Sequence, residues 1–215
     1  MEPEYHTIYL SPHPDDVVFS CAGSIAGQVA RGERVLVVTA CTAMAPATAP
    51  SEFAARMHRR WQLCDSEVVS VRLMEDVRAL ELLGVDSARL GLLDAIYRRP
   101  EVYDRHDRLF ATLADDDSFP GALTERMTEL CARFRGARVC VPLGVGEHVD
   151  HQAAHLAGRS LAGRGVEVSY YEDLPYALQP GSVEQRLARL GAGERARARV
   201  TDVAPALHLK LAAIR

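Results

Sequence analysis

Short β-branched runs alternate along the chain with longer stretches whose apolar residues return at helical spacing, the pattern of a parallel sheet with crossover helices. Residues 5–10 read as the first strand. Over residues 16–30, Val17, Val18, Cys21, Ala22, Ile25, Ala26, Val29 and Ala30 share one helical face, and Gly32 supplies the stop. Asp15 or Asp16 would cap the start of this helix. RVLVVTA (34–40) predicts a second, buried strand, and the Ala/Pro/Thr-rich residues 42–51 a loop. Met57, Trp61, Cys64 and Val68 recur at i, i+4, i+7 and i+11, which predicts one helix face. VRLMEDVRALELLGV follows as a helix ending at Gly84. ARLGLLD (88–94), RVCVPLG (138–144) and VEVSYYEDLPY predict the remaining strands. Further helices run through Leu123, Met127, Leu130, Cys131 and Phe134, and through DHQAAHLAGRSLAG.

The fold class expected is α/β, a Rossmann-like, mainly parallel sheet flanked by helices, in a single domain over residues 1–215. Ligands of such sheets bind outside the carboxyl ends of the strands, so the chemistry is to be read at the strand exits. Those exits are polar. The first carries His13, Asp15 and Asp16, the third Asp94, and the fourth, in GVGEHVDH, carries His148, Asp150 and His151. CAGSIAG after the first strand is neither a GxGxxG fingerprint nor a P-loop, which disfavours a nucleotide or S-adenosylmethionine binder. Residues 98–120, with ADDDSFPG, suggest an insertion or lid, and the acidic run Asp115, Asp116 and Asp117 a solvated loop.

Composition narrows the class further. A net charge of -4 with arginines spread among acids lacks the clustered basic surface that nucleic acid requires. No apolar run approaches the ~20 residues of a membrane span, and the first residues lack a leader pattern, so a cytoplasmic protein is expected. Five cysteines without a CxxC pair suggest reduced core thiols rather than disulfides or a zinc finger.

Two clusters of imidazole and carboxylate at strand exits are the donor set of a mononuclear metal centre. Catalytic zinc commonly takes three ligands from His, Asp or Glu and keeps a position for water. Such an ion lowers the pKa of water toward ~7 and polarises a carbonyl, which amide hydrolysis needs. A nearby carboxylate can take the proton and a further histidine can stabilise the oxyanion. One zinc per chain is expected, with iron or cobalt also compatible.

SPHPDD after the first strand and GEHVDH at a later exit resemble the two signature motifs of the PIG-L/LmbE family, metal-dependent de-N-acetylases acting mostly on N-acetylglucosamine conjugates. VRLMEDVRALELLGV and LGLLDAIYR are similar to that family's R-x-x-E helix and following strand. The resemblance implies His13, Asp16 and His151 as metal ligands and Asp15 as general base. It implies His148 as general acid or oxyanion stabiliser, Asp150 as the charge partner that orients His148, and Arg72 and Asp94 as residues facing sugar hydroxyls. The substrate implied is a small N-acylated amino sugar in a glycosylated natural product or a sugar–thiol conjugate. A homo-oligomer is compatible with it.

The chain departs from the family at several points. Val17 stands where HPDDE has glutamate, a position expected either to be structural or to support the ligands from behind, so that loss of charge there need not abolish catalysis. TACTAMAPATAP lacks the family's Gly-Glu after the second strand. Gly146 stands where some members place a tyrosine, leaving Tyr97, Tyr171 or Tyr176 to fill that place. The chain ends at KLAAIR, earlier than many members, so part of the pocket would be absent or come from another subunit. The changes cluster where substrate is chosen. The competing reading is a non-catalytic carbohydrate-binding or regulatory protein on the same scaffold, against which the full set of ligands, base and acid speaks.

Overall fold

The β-branched runs form five parallel strands: β1 (Thr7–Ser11), β2 (Val35–Cys41), β3 (Asp86–Leu92), β4 (Arg138–Pro142) and β5 (Val168–Tyr171), ordered β3-β2-β1-β4-β5. The computed structural model describes residues 3–46, 49–190 and 197–214. Thr7 lies opposite Val35 on one side and Arg138 on the other, so β1 is central. The strand alternation sorts side chains to two faces. Ile8, Leu10, Leu36, Val38, Val139 and Val141 pack on α6 (Phe119–Arg133) and α7 (Val149–Ala162). Tyr9, Val35, Val37 and Cys140 pack on α1 (Asp16–Ala30) and α3 (Val68–Leu82), and the described C-terminal residues add α9 (Leu207–Ala213) to that face. α8 (Ser182–Leu190) lies between β5 and α9 in the chain. This is the α/β architecture expected from the alternation.

α1 spans the residues that its apolar spacing predicts, and Gly32 follows it with φ +78°, a conformation open to glycine. Val17 is 1% exposed inside the core, as expected of a structural position. Neither aspartate makes the expected cap bond. Asp15 occupies the cap position with φ 84° and its side chain leaves the helix end alone.

The single helix face expected through Met57, Trp61, Cys64 and Val68 is two helices. α2 (Glu52–Trp61) stops where Gln62 turns left-handed at φ 60°, with Gln62 N donating to Arg59 O and Leu63 N to His58 O. Met57 and Trp61 belong to one apolar cluster, whereas the buried Val68 opens α3, so their spacing joined separate elements. Cys64 lies exposed between them and is no core thiol. Cys21, Cys41 and Cys140 are buried, Cys131 is half-buried, and all five cysteines are free. Ala47 and Thr48, in the expected loop 42–51, lie outside the described residues.

Residues 98–120 are also more ordered than an open lid. α4 (Ala95–Arg98) and α5 (His106–Leu109) bring Ala95, Ile96, Tyr103 and Leu109 against Phe53, Ala54 and Val149. Asp115 and Asp116 are exposed as expected, but Asp117 is buried. It accepts from Arg98 Nη2 at 2.8 Å, the Tyr103 hydroxyl at 2.8 Å and Phe119 N at 3.0 Å. A solvated loop would leave that carboxylate to water; here it anchors the segment.

α7 approaches β4 so closely that a Cβ on Gly158 would stand 2.5 Å from Val141 Cγ2, whereas one on Gly121 of α6 meets nothing within 4 Å. Gly158→Val is therefore expected to destabilise the protein by about 1–3 kcal/mol through overpacking. Gly121→Ala should gain up to about 1 kcal/mol of helix propensity. Urea unfolding midpoints of the two variants, moving in opposite directions, check the packing.

Candidate metal centre

β1 and β4 are neighbours, and the chain leaves β1 toward β2 on one side while β4 leads to β5 on the other. The crevice at this reversal is where a parallel sheet accepts ligands. It gathers the HPDD and HVDH segments, separated by more than 130 residues in the chain, into one cluster. The turn after β1 is tied down locally. Ser11 Oγ donates to His13 O at 2.7 Å and accepts from Val17 N at 3.2 Å, and His13 N donates to Asp16 Oδ2 at 2.8 Å. Asp15 N donates to Asp76 Oδ1 at 3.1 Å, while Thr39 Oγ1 holds the other oxygen of Asp76 at 3.0 Å. Asp15 and Glu147 are two of three described non-glycine residues with positive φ, one in each motif loop. Backbone of this kind costs on the order of 1–3 kcal/mol and persists where surrounding contacts over-determine it.

Three donor atoms converge. Asp16 Oδ2 lies 3.1 Å from His13 Nδ1 and 3.2 Å from His151 Nε2. Ligands about 2.0–2.1 Å from a tetrahedral zinc stand roughly 3.3 Å apart, so Asp16 Oδ2 is spaced from each imidazole as two ligands of one small cation are. The far nitrogen of each histidine meets a buried carboxylate: His13 Nε2 lies 2.9 Å from Asp150 Oδ2, and His151 Nδ1 lies 2.6 Å from Asp173 Oδ1. That bracing fixes ring orientation and tautomer, as the outer shell of a metal site requires. The electrostatics agree. Burial works to lower the His13 imidazole, yet Asp94, Asp150 and Asp16 hold it well above the ordinary range. Burial likewise opposes a charge on His151, and Asp16 and Asp173 overcome it to raise the ring to about 10. Burial acts to raise Asp16, but His151 and His13 keep its carboxyl well below the usual carboxylate range. Protons on these imidazoles offset a surplus of carboxylate that a divalent cation would offset in their place. The residues present thus fit such an ion.

His148 completes a trio with His13 and His151 whose ligand nitrogens lie within 4.8 Å of one another. Its Nδ1 accepts from Asp150 N at 3.2 Å, so in the neutral ring Nε2 carries the proton. Burial, reinforced by His13, holds this imidazole well below its ordinary range. His13, Cys41 and Asp150 form a second close trio, but burial pushes the Cys41 thiol up to about 12, which keeps it a thiol.

Asp150 holds the His148 ring through its backbone amide, and its charge acts on that imidazole from close by. Its carboxylate turns to His13, to Ala95 N at 3.2 Å and to Arg98, whose Nη1 lies 2.5 Å from Oδ1. Burial works to raise the Asp150 carboxyl, and Arg98 and His13 drive it far below the usual range instead. Asp15 stands apart from this buried set, with 48% of its side chain exposed toward the cleft and Oδ2 3.5 Å from Arg72 Nη2. The surrounding protein pushes its carboxyl up to about 6 against the pull of Arg72. Arg72 also donates to Pro14 O at 3.2 Å and lies over the Trp61 ring rather than pairing with Glu75 or Asp76. Asp94 Oδ1 caps α4 by accepting from Ile96 N at 3.1 Å, and its Oδ2 lies 3.6 Å from His13 Nε2.

Of the three tyrosines open to fill the place at Gly146, Tyr176 does so. A Cβ on Gly146 would stand 2.5 Å from Tyr176 Cγ, and the Tyr176 ring lies edge-on to His151. The Tyr171 hydroxyl is bound to Leu10 O and that of Tyr97 to His58. Sequence reasoning missed Asp173, Asp76 and Arg98 at this centre. Asp173 lies in the quoted strand VEVSYYEDLPY, whose polar exit is the one signal that pointed to it.

The chain matches the PIG-L family, described as GlcNAc-PI de-N-acetylase, over residues 8–162. It is 36% identical over 181 residues to 2'-N-acetylparomamine deacetylase of Streptomyces fradiae, covering 83% of this chain and 60% of that protein. It is 29% identical over 188 residues to the 2'-N-acetylparomamine deacetylase of Niallia circulans, covering 79% and 66%. The chain thus spans less than two thirds of the length of these relatives. Among solved structures, a deacetylase–teicoplanin complex from the teicoplanin biosynthesis pathway superposes with a TM-score of 0.81 at 27% identity, over 97% of this chain and 84% of that one. The zinc-inhibited form of teicoplanin deacetylase Orf2 gives 0.77 at 27% identity, over 97% and 82%. The match over residues 8–162 contains both strand-exit motifs and the crevice between them, and the chain belongs to the PIG-L family.

Proposed function

We propose that the protein is a cytoplasmic zinc-dependent hydrolase that removes an N-acetyl or related N-acyl group from an amino sugar within a glycosylated natural-product intermediate. The observation that carries this reading is the convergence of His13, Asp16 and His151 on one point, each histidine braced by a buried carboxylate, with Asp15 beside them in the open cleft. Relatives that deacetylate 2'-N-acetylparomamine and teicoplanin support the substrate class.

In this reading His13, Asp16 and His151 hold one zinc per chain. The ion supplies an acidified water and polarisation of the amide carbonyl. Asp15 takes the proton of the attacking water; it faces solvent, and a carboxyl raised to about 6 is a stronger base than an ordinary one. His148 donates a hydrogen bond from Nε2 to the developing oxyanion, its ring held by the Asp150 amide, and Asp15 passes the proton it took from the water to the leaving nitrogen. Asp150 acts on His13, keeping Nδ1 turned toward Asp16. Arg72 orients Asp15, and Arg72 and Asp94 border the place of the sugar.

Metal analysis of the purified protein is expected to find about one zinc per chain, and a protein without affinity for zinc overturns the reading. Asp15→Asn should retain the metal and lose roughly 10²–10⁴-fold in deacetylation rate, whereas His13→Ala should lose the metal. Asp173→Asn leaves all three ligands in place and removes the charge that braces His151. Its zinc affinity, read by competition with a chelator, should fall about 10–100-fold.

A further inference from the structure

A cavity of about 460 Å³ lies beside the metal centre, and nothing in the proposed chemistry uses it. A neck of about 20 Å³ bordered by Pro14, Arg72 and Asp94 leads toward it, and Val69 and Tyr97 line both spaces. Met44, Pro46, Pro50, Ile96 and Pro100 give the cavity apolar lining, and Tyr97, His58 and Asp65 give it polar groups. None of these belongs to the HPDD or HVDH motifs.

The polar lining is built rather than incidental. His58 is 1% exposed, with Nδ1 2.6 Å from Asp65 Oδ1 and Nε2 2.6 Å from the Tyr97 hydroxyl. A carboxylate accepts, so Nδ1 bears a proton, and when the ring carries that proton alone Nε2 accepts from Tyr97. The hydroxyl proton is thereby committed to His58, and Tyr97 offers the cavity only lone pairs. Asp94 Oδ2 is a further acceptor at the neck, while Arg72 is turned toward Pro14 O and Asp15. Acceptors set among apolar lining suit a ligand that brings donors and an apolar face: a ring carrying hydroxyl and ammonium groups. The volume lies at the low end of small-molecule sites, about 300–1,000 Å³, and suits one further ring rather than an extended scaffold.

We propose that this cavity is a subsite for a second, amino-substituted ring of the substrate, and that Tyr97, positioned by His58 and Asp65, selects it. The inference rests on the deacetylase reading for the first ring.

The test is calorimetric titration of the protein as purified with 2-deoxystreptamine, the diaminocyclitol ring of paromamine. Saturable binding is expected, weakened about tenfold in Tyr97→Phe, which loses one hydrogen bond, and abolished in Val69→Trp, which fills the passage. The ratio of kcat/KM for 2'-N-acetylparomamine over N-acetylglucosamine should fall by a similar factor in Tyr97→Phe, through KM. Absence of binding, or binding undiminished in both variants, overturns the subsite. If the protein hydrolyses neither amide yet binds the cyclitol in a Tyr97-dependent way, the deacetylase reading fails and the subsite stands. If it hydrolyses both amides with equal kcat/KM and does not bind the cyclitol, the subsite fails and the deacetylase reading stands.

Discussion

Asp150 is wholly buried, and a carboxylate removed from water must be matched by positive charge and hydrogen bonds or cost several kcal/mol. It meets Arg98, His13 and Ala95 N, and through Arg98 it is joined to Asp117 and Tyr103. The turn after β1, the start of α7, α4 and the segment before α6 are thereby bound to one charge network. Asp173 repeats the arrangement from the exit of β5, accepting from Gly144 N and Val145 N while it braces His151. The site is rigid because each carboxylate has several partners in different elements, and removing any one leaves the rest uncompensated.

The same network explains why the four acidic residues of the two motifs and their surroundings behave differently. Asp16, Asp150 and Asp173 are enclosed and paired with imidazoles. Asp15 is thrown outward by its left-handed backbone, with Asp76 gripping its amide, so its carboxylate meets the cleft and Arg72. Adjacent residues of one motif thus acquire opposite surroundings through a single backbone inversion. Val17, next in the chain, turns into the core and anchors α1 beneath the turn.

The alternation of apolar runs carried the sheet and its main helices, since burial on both faces leaves a strand pattern that needs no partner to be recognised. β1, β2 and α1 appear within a residue or two of their expected bounds. The pattern failed where two elements happened to share a helical period, at the break at Gln62, because a left-handed residue without glycine leaves no mark in composition. It failed again at residues 98–120, where Asp117 looks like its solvated neighbours although it is buried against Arg98 and Tyr103.

For the site, the chain itself determined which titratable residues stand at the strand exits: His13, Asp15, Asp16, His148, Asp150 and His151 lie in two compact motifs, and local spacing suffices to expose them. Only the tertiary structure decided whom each one faces. Asp150 turns its carboxylate to His13 and its amide to His148, Tyr176 fills the space at Gly146, and Asp173, Arg98 and Asp76 enter from elements that no motif marks. Side-chain direction at a strand exit depends on the packing of neighbouring strands and loops. A sequence records the donors of a buried network, whereas their pairing is set by which elements the sheet order brings together.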